Sequence, residues 1–157
     1  MIPIYERIKI GTEESCCPGS PRLAVVHACK SPCHQRAVGY GGNLPSTHPN
    51  YLALELAHDL YLNIIDPTIP LFKLETFTRF LRFATLQYES GAELLIHCNQ
   101  GESRAPSLAL LFLAKRLNAI PNRSFSDAKP AFSALYPNFR PGLGIERFLS
   151  EQWGAIL

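Results

Sequence analysis

The chain has 157 residues, 15 basic against 13 acidic for a formal charge of +2, and 46% hydrophobic residues. That length suits one domain able to bury its own core. The near-balanced charge lacks the basic run that nucleic acid or an anionic membrane surface calls for, and the longest apolar run, residues 108–114, is far short of the ~20 residues of a membrane span.

The opening MIPIYERIKI alternates apolar and polar residues, with Glu6 among them, and predicts a strand rather than a secretory signal. Five cysteines (Cys16, Cys17, Cys29, Cys33 and Cys98) without such a signal point to reduced thiols and a cytoplasmic setting. Residues 11–22 are turn-rich, and residues 23–29, LAVVHAC, predict a buried strand. Residues 30–50 hold glycines 39, 41 and 42 and prolines 32, 45 and 49 and predict a long loop. Its GYGGN lacks the lysine and the serine or threonine of a P-loop, while Tyr40 and His48 are placed to line a substrate groove. YLALELAHD, residues 51–59, suits a short helix with Pro49 near its start.

Residues 60–65 predict a second core strand, ending at DPTIP. Residues 71–90 space Leu74, Phe77, Phe80, Leu81 and Ala84 as a helix, with Gly91 as its stop. Residues 92–98 predict a third strand. Residues 103–118 predict a helix apolar on nearly every side, which belongs at the centre of a domain. Residues 124–136 and 144–153 predict two further helices. The alternation predicts an α/β fold: one domain over residues 1–157 with a mainly parallel central sheet flanked by helices.

The turn HCNQGESR, residues 97–104, thus joins the carboxyl end of a core strand to the amino end of a buried helix, where open α/β sheets bind ligands. Unpaired N–H groups and the positive helix end suit a phosphate dianion. Gly101 lets the backbone curl so that successive amides turn inward, and the planar guanidinium of Arg104 can grip two phosphate oxygens. The same positive surroundings favour Cys98 as a thiolate, ready to attack phosphorus. Ser103 is placed to donate its hydroxyl to the sulfur, and His97 to orient the loop by bonding backbone carbonyls.

HCNQGESR resembles the His-Cys-five-residues-Arg signature of the protein tyrosine phosphatase superfamily, with Gly101 and Ser103 where that signature has them. From residue 51 to 153 the order of acid loop, helix, signature loop and three helices is similar to the compact dual-specificity phosphatases; residues 1–50 match only loosely. The resemblance implies that Cys98 is the nucleophile, that the backbone of Asn99, Gln100, Gly101, Glu102, Ser103 and Arg104 cradles the phosphate, and that Arg104 clamps the transition state.

Ester cleavage also needs a proton for the leaving oxygen. Asp66 follows the strand of residues 60–65 and emerges beside the thiol if that strand runs parallel to residues 92–98, whereas Asp59 lies at the strand's other end. Asp66 is also 32 positions before Cys98, close to the separation in dual-specificity phosphatases. Glu102 at the rim repels polyanionic head groups, so the expected substrate is phosphotyrosine, with phosphoserine and phosphothreonine, in proteins. Alternatives are a non-protein phosphate ester, sulfur transfer or arsenate reduction on the same loop, and a non-catalytic phosphate-binding module. The cluster HACKSPCH, with His27, Cys29, Cys33 and His34, fits no usual zinc spacing and reads as strand plus loop. Cys16 and Cys17 are expected apart from it, so neither metal nor cofactor is expected.

Overall fold

Runs rich in Ile, Val and Leu can be buried on both faces of a sheet, which is the condition for parallel pairing. The computed structural model, which describes residues 1–157, has the strands β1 (Ile2–Tyr5), β2 (Ile8–Gly11), β3 (Leu23–His27), β4 (Ala53–Glu55), β5 (Asp59–Leu62) and β6 (Glu93–His97), and the largely buried runs are the inner β2, β3, β5 and β6. The strands make one sheet in the order β1-β2-β6-β3-β5-β4. The inner strands β2, β6, β3 and β5 run parallel, and β1 and β4 are antiparallel edges. The helices are α1 (Gln35–Val38), α2 (Leu74–Glu89), α3 (Arg104–Lys115), α4 (Phe125–Leu135) and α5 (Leu143–Gln152). The α/β architecture with a mainly parallel sheet is as the sequence predicts, and no helix is long and apolar enough to cross a membrane.

Period-two alternation divides the strand residues between two faces. Ala24 and Val26 of β3, Leu60 and Leu62 of β5, and Leu94 and Ile96 of β6 join the helix-covered core, and Cys98 continues that row. Their neighbours Val25, His27, Leu95 and His97 are also buried, on the opposite face. Helices α2 and α3 lie against the sheet and α4 and α5 follow beyond α3. Every residue of α3 from 105 to 114 is buried, so this helix is the axis of the core.

Three expectations need correction. MIPIYERIKI is two strands, because Arg7 takes a left-handed conformation (φ 59) and turns the chain back. Its guanidinium donates to the carbonyls of Tyr88 and Ala92 at 2.9 and 2.8 Å and stacks 3.9 Å from the Tyr88 ring centroid, contacts that hold a turn without glycine. Residues 51–59 contain no helix. Ala53–Glu55 is an edge strand paired with β5, so long-range pairing overrides the helix-forming Leu, Ala and Glu. Finally, the long loop of residues 30–50 begins with a π-type turn, Lys30–His34, leading into α1.

Phe112 of α3 packs edge-on against Phe80 and Tyr88 and is 1% exposed. Phe112→Ala should lower the unfolding free energy by about 3–5 kcal/mol, while Leu86→Ala on the outer face of α2 should stay within about 0.5 kcal/mol. Urea unfolding of the two variants measures both.

Candidate active site

Cys98 follows β6 directly, and the chain from it to α3 is a tight cup. The thiol is only 2% exposed, and the Gly101 N–H donates to its sulfur at 3.3 Å. Gly101 has φ +72 and a methyl group there would stand 3.1 Å from the Gly11 carbonyl oxygen, so both conformation and space favour glycine. The outer side of the cup is tied down: the Tyr136 hydroxyl donates to the Gly101 carbonyl at 2.7 Å, and the Arg140 N–H donates to the Glu102 carbonyl at 2.8 Å. Burial, with the Cys98 and Glu102 charges, raises the Tyr136 phenol above its ordinary range, so it stays a donor.

Arg104 opens α3 and turns its side chain back into the cup. One terminal nitrogen donates to Asn99 Oδ1 at 2.7 Å, the other to the Ile64 carbonyl at 3.2 Å. Its Nε is buried with no partner, leaving a charged donor available to an oxyanion. Asn99 is itself held, donating to Glu13 Oε2 and to the Ser31 carbonyl, each at 3.0 Å.

Asp66 arrives from the loop after β5, which runs parallel to β6 across β3, and so comes to the same end of the sheet as Cys98. The Ser103 hydroxyl donates to Asp66 Oδ1 at 3.1 Å and accepts the Gly142 N–H at 2.8 Å. The expected contact of Ser103 with the thiol is not formed; its hydroxyl grips Asp66 instead. A methyl at Gly142 would stand 2.4 Å from Asp66 Oδ1, so glycine is what lets the carboxylate lie there. Asp66, Cys98, Asn99, Gln100, Glu102, Ser103, Arg104 and Arg140 line one cavity of about 260 Å³.

The structure therefore gathers Cys98, Arg104, Asp66 and Ser103 around one space and leaves Asp59 outside it. Asp59 accepts the Gly19 N–H and pairs with His27 Nε2 at 2.8 Å. His97 is not in the cavity either. It bonds the side chain of His27, Nε2 to Nδ1 at 2.8 Å; the ring also lies beside the Cys98 backbone, as expected of a loop-orienting residue, although its Nδ1 closes no hydrogen bond of ordinary geometry. Burial and the neighbouring His27 push the His97 imidazole down to about 4. Tyr40 and His48 line neither this cavity nor the larger groove beside it: Tyr40 bonds His34, and His48 accepts the Asn50 N–H. A groove of about 580 Å³ does adjoin the cup, lined by Tyr51, Leu52, Ile65, Leu71 and Phe72 among others. Arg140, Gly142 and Tyr136 were not singled out from the sequence; the only trace is the turn-forming RPG at 140–142, ahead of α5.

The cup can hold a tetrahedral oxyanion over a sulfur nucleophile, with a carboxyl on its rim. No protein-family model matches the sequence, and no curated protein does. Solved structures do share its fold. Human DUSP28 is 14% identical, with 99% of this chain aligned to 93% of that one at a TM-score of 0.65. Tk-PTP in its active form is 18% identical over 96% and 94% of the two chains, TM-score 0.61. The human tyrosine phosphatase-like serine/threonine/tyrosine-interacting protein is 18% identical over 86% and 78%, TM-score 0.58. The fold is thus that of dual-specificity and tyrosine phosphatases.

Arg104→Lys removes the planar fork and the Nε donor while keeping the charge. It should weaken tungstate binding about 10–100-fold by calorimetry, the worth of one charge-assisted hydrogen bond or more. Unchanged affinity would remove Arg104 from the anion site.

Proposed function

We propose that the chain is a cysteine-dependent phosphatase that hydrolyses phosphotyrosine, and also phosphoserine and phosphothreonine, in proteins. The observation that carries this reading is the thiol of Cys98 at the floor of the cup, receiving the Gly101 N–H at 3.3 Å beside the unpaired Nε of Arg104. A sulfur held among inward donors at a helix start is suited to attack an anionic phosphorus centre. No metal or other cofactor is needed for the steps below.

The Cys98 thiolate forms an S–P bond as the P–O bond to the leaving group breaks, and Asp66 delivers a proton to that oxygen. Arg104 and the loop amides hold the equatorial oxygens, where charge is greatest. In the second half, the Asp66 carboxylate takes a proton from water, the hydroxyl oxygen bonds to phosphorus, and the S–P bond breaks to return the thiolate and inorganic phosphate. Ser103 and Gly142 act through Asp66 by holding its carboxyl at the rim.

A protein substrate is favoured by the groove of about 580 Å³, whose mixed lining sets Tyr51, Leu52, Ile65 and Phe72 beside Lys30, Asn63 and Lys73. It begins at Ile65, next to Asp66, so a peptide carrying the phosphoresidue can lie along it. The carboxylate of Glu102 at the cavity rim disfavours a polyanionic head group. Five free cysteines suit a reducing compartment, the cytoplasm. One observation favours a second reading, a non-protein ester with more than one phosphate: a second arginine, Arg140, lines the same cavity as Arg104.

Hydrolysis of an aryl phosphate, followed by panels of phosphopeptides and of polyphosphorylated small molecules, tests these readings. Cys98→Ser should be inactive. Asp66→Asn should lose about 10²–10⁴-fold in kcat on phosphotyrosine and far less on an activated aryl phosphate, whose leaving oxygen needs no proton. Activity in Cys98→Ser, or equal loss on both substrates in Asp66→Asn, contradicts the mechanism. A preference for the polyphosphorylated small molecules contradicts the substrate class.

A further inference from the structure

Strand alternation sends His97 to the sheet face opposite its neighbour Cys98, and that face carries its own cluster. There, His97 Nε2 is 2.8 Å from His27 Nδ1, His27 Nδ1 is 3.5 Å from Cys16 Sγ, and Cys16 Sγ is 3.9 Å from Cys33 Sγ. The four donor atoms lie within 4.8 Å of one another. They come from four separate stretches: the loop after β2, the ends of β3 and β6, and the turn before α1. The expectation that Cys16 stands apart from His27 and Cys33 is thereby corrected. Of the sequence-level cluster, Cys29 and His34 fall outside; His34 is occupied by the Tyr40 hydroxyl at 2.6 Å and the Asn50 carbonyl at 2.9 Å.

We propose that Cys16, His27, Cys33 and His97 form a structural zinc site behind the phosphate cup. Tetrahedral zinc with bonds of ~2.3 Å to sulfur and ~2.0–2.1 Å to nitrogen implies edges of ~3.8 Å between sulfurs, ~3.6 Å between sulfur and nitrogen, and ~3.4 Å between nitrogens. The Cys16–Cys33 and Cys16–His27 edges given above match; the two imidazoles must separate by about half an ångström, and the remaining edges, none longer than 4.8 Å, must settle onto the ion. Two thiolates and two imidazoles with no fifth position make a closed site of borderline-soft donors, which zinc prefers. Binding deprotonates both thiols, so two protons leave as the two Zn–S bonds form.

The surroundings are those of a ligand set rather than of a hydrogen-bond network. Asp59 pairs with His27 Nε2 at 2.8 Å, and both its oxygens are held by the Gly19 N–H, at 2.9 and 3.1 Å. That assigns the proton to Nε2 and turns the Nδ1 lone pair toward Cys16 and His97, the carboxylate–histidine–metal arrangement. The Tyr61 ring stacks on His27 at 4.1 Å and fixes its plane. His27, Cys33 and His97 are 1%, 5% and 0% exposed, while Cys16 is exposed and leaves a path for the ion. A metal here would fasten the loop after β2, the end of β3 and the turn before α1 to the residue that precedes Cys98, and so stiffen the cup from behind.

The site is tested on the full chain, expressed with zinc in the medium and purified under reducing conditions without chelator. Elemental analysis and native mass spectrometry should give stoichiometric zinc, and cobalt in its place should show the visible bands of tetrahedral thiolate coordination. Cys16→Ser and the Cys16→Ser/Cys33→Ser double variant should lose the metal, whereas Cys17→Ser, one position away, should keep it. Asp59→Asn should weaken zinc about 10–100-fold in chelator competition. Wild type that stays zinc-free after incubation with the ion, a double variant that retains it, or a Cys16–Cys33 disulfide in the reduced preparation would overturn the site. None of these readouts depends on phosphatase activity.

Discussion

The hydrogen bond from the Gly101 amide to the Cys98 sulfur is the contact on which the reading of this molecule rests. It exists because β6 ends one residue before Cys98 and α3 begins at Arg104, so the connecting backbone must curl tightly, and at Gly101 it turns its N–H toward the sulfur. Buried donors of this kind need an acceptor. A sulfur supplies one at the floor, and an oxyanion completes the set above it. In the proposed mechanism the strand therefore delivers the nucleophile and the helix the Arg104 guanidinium, and the sheet aligns the two. Central placement of α3, buried from residue 105 to 114, keeps the cup from deforming.

The rim is built by more distant parts of the chain. Ser103 bridges Asp66 and the Gly142 amide, joining the loop after β5 to the start of α5 through a residue of the cup itself. This contact makes the carboxyl's position depend on the same backbone that forms the cup. Tyr136 and Arg140 fasten the outer side of the cup from the segment between α4 and α5. The last two helices thus serve the site as well as the core.

Much of this was legible in the sequence, for identifiable reasons. The cup is local: strand, glycine turn, arginine and apolar helix are contiguous, so HCNQGESR announced it. Asp66 was reachable because parallel strands bring their carboxyl ends together. What could not be read depends on partners far away in the chain. Residues 53–55 became a strand only because β5 offered an edge, and Arg7 turned only because Tyr88 and Ala92 received it. Arg140 reaches the cavity and Gly142 the Ser103 hydroxyl from the segment before α5, and that hydroxyl bonds Asp66 rather than sulfur for the same reason. The set of Cys16, His27, Cys33 and His97 has no sequence spacing, since four segments supply it; only strand alternation, which puts His27 and His97 on one face, foreshadowed a part of it.

The central claim is that the sulfur of residue 98 becomes bonded to phosphorus during turnover. Its most direct measurement is peptide mass spectrometry of the acid-quenched protein after brief mixing with an excess of an activated aryl phosphate. The account predicts a single phosphoryl group on Cys98, formed faster than it is released when Asp66 is replaced by asparagine, since the second step then lacks its base. Turnover with no phosphorylated Cys98 peptide at any time, or with the label on another residue, would contradict it.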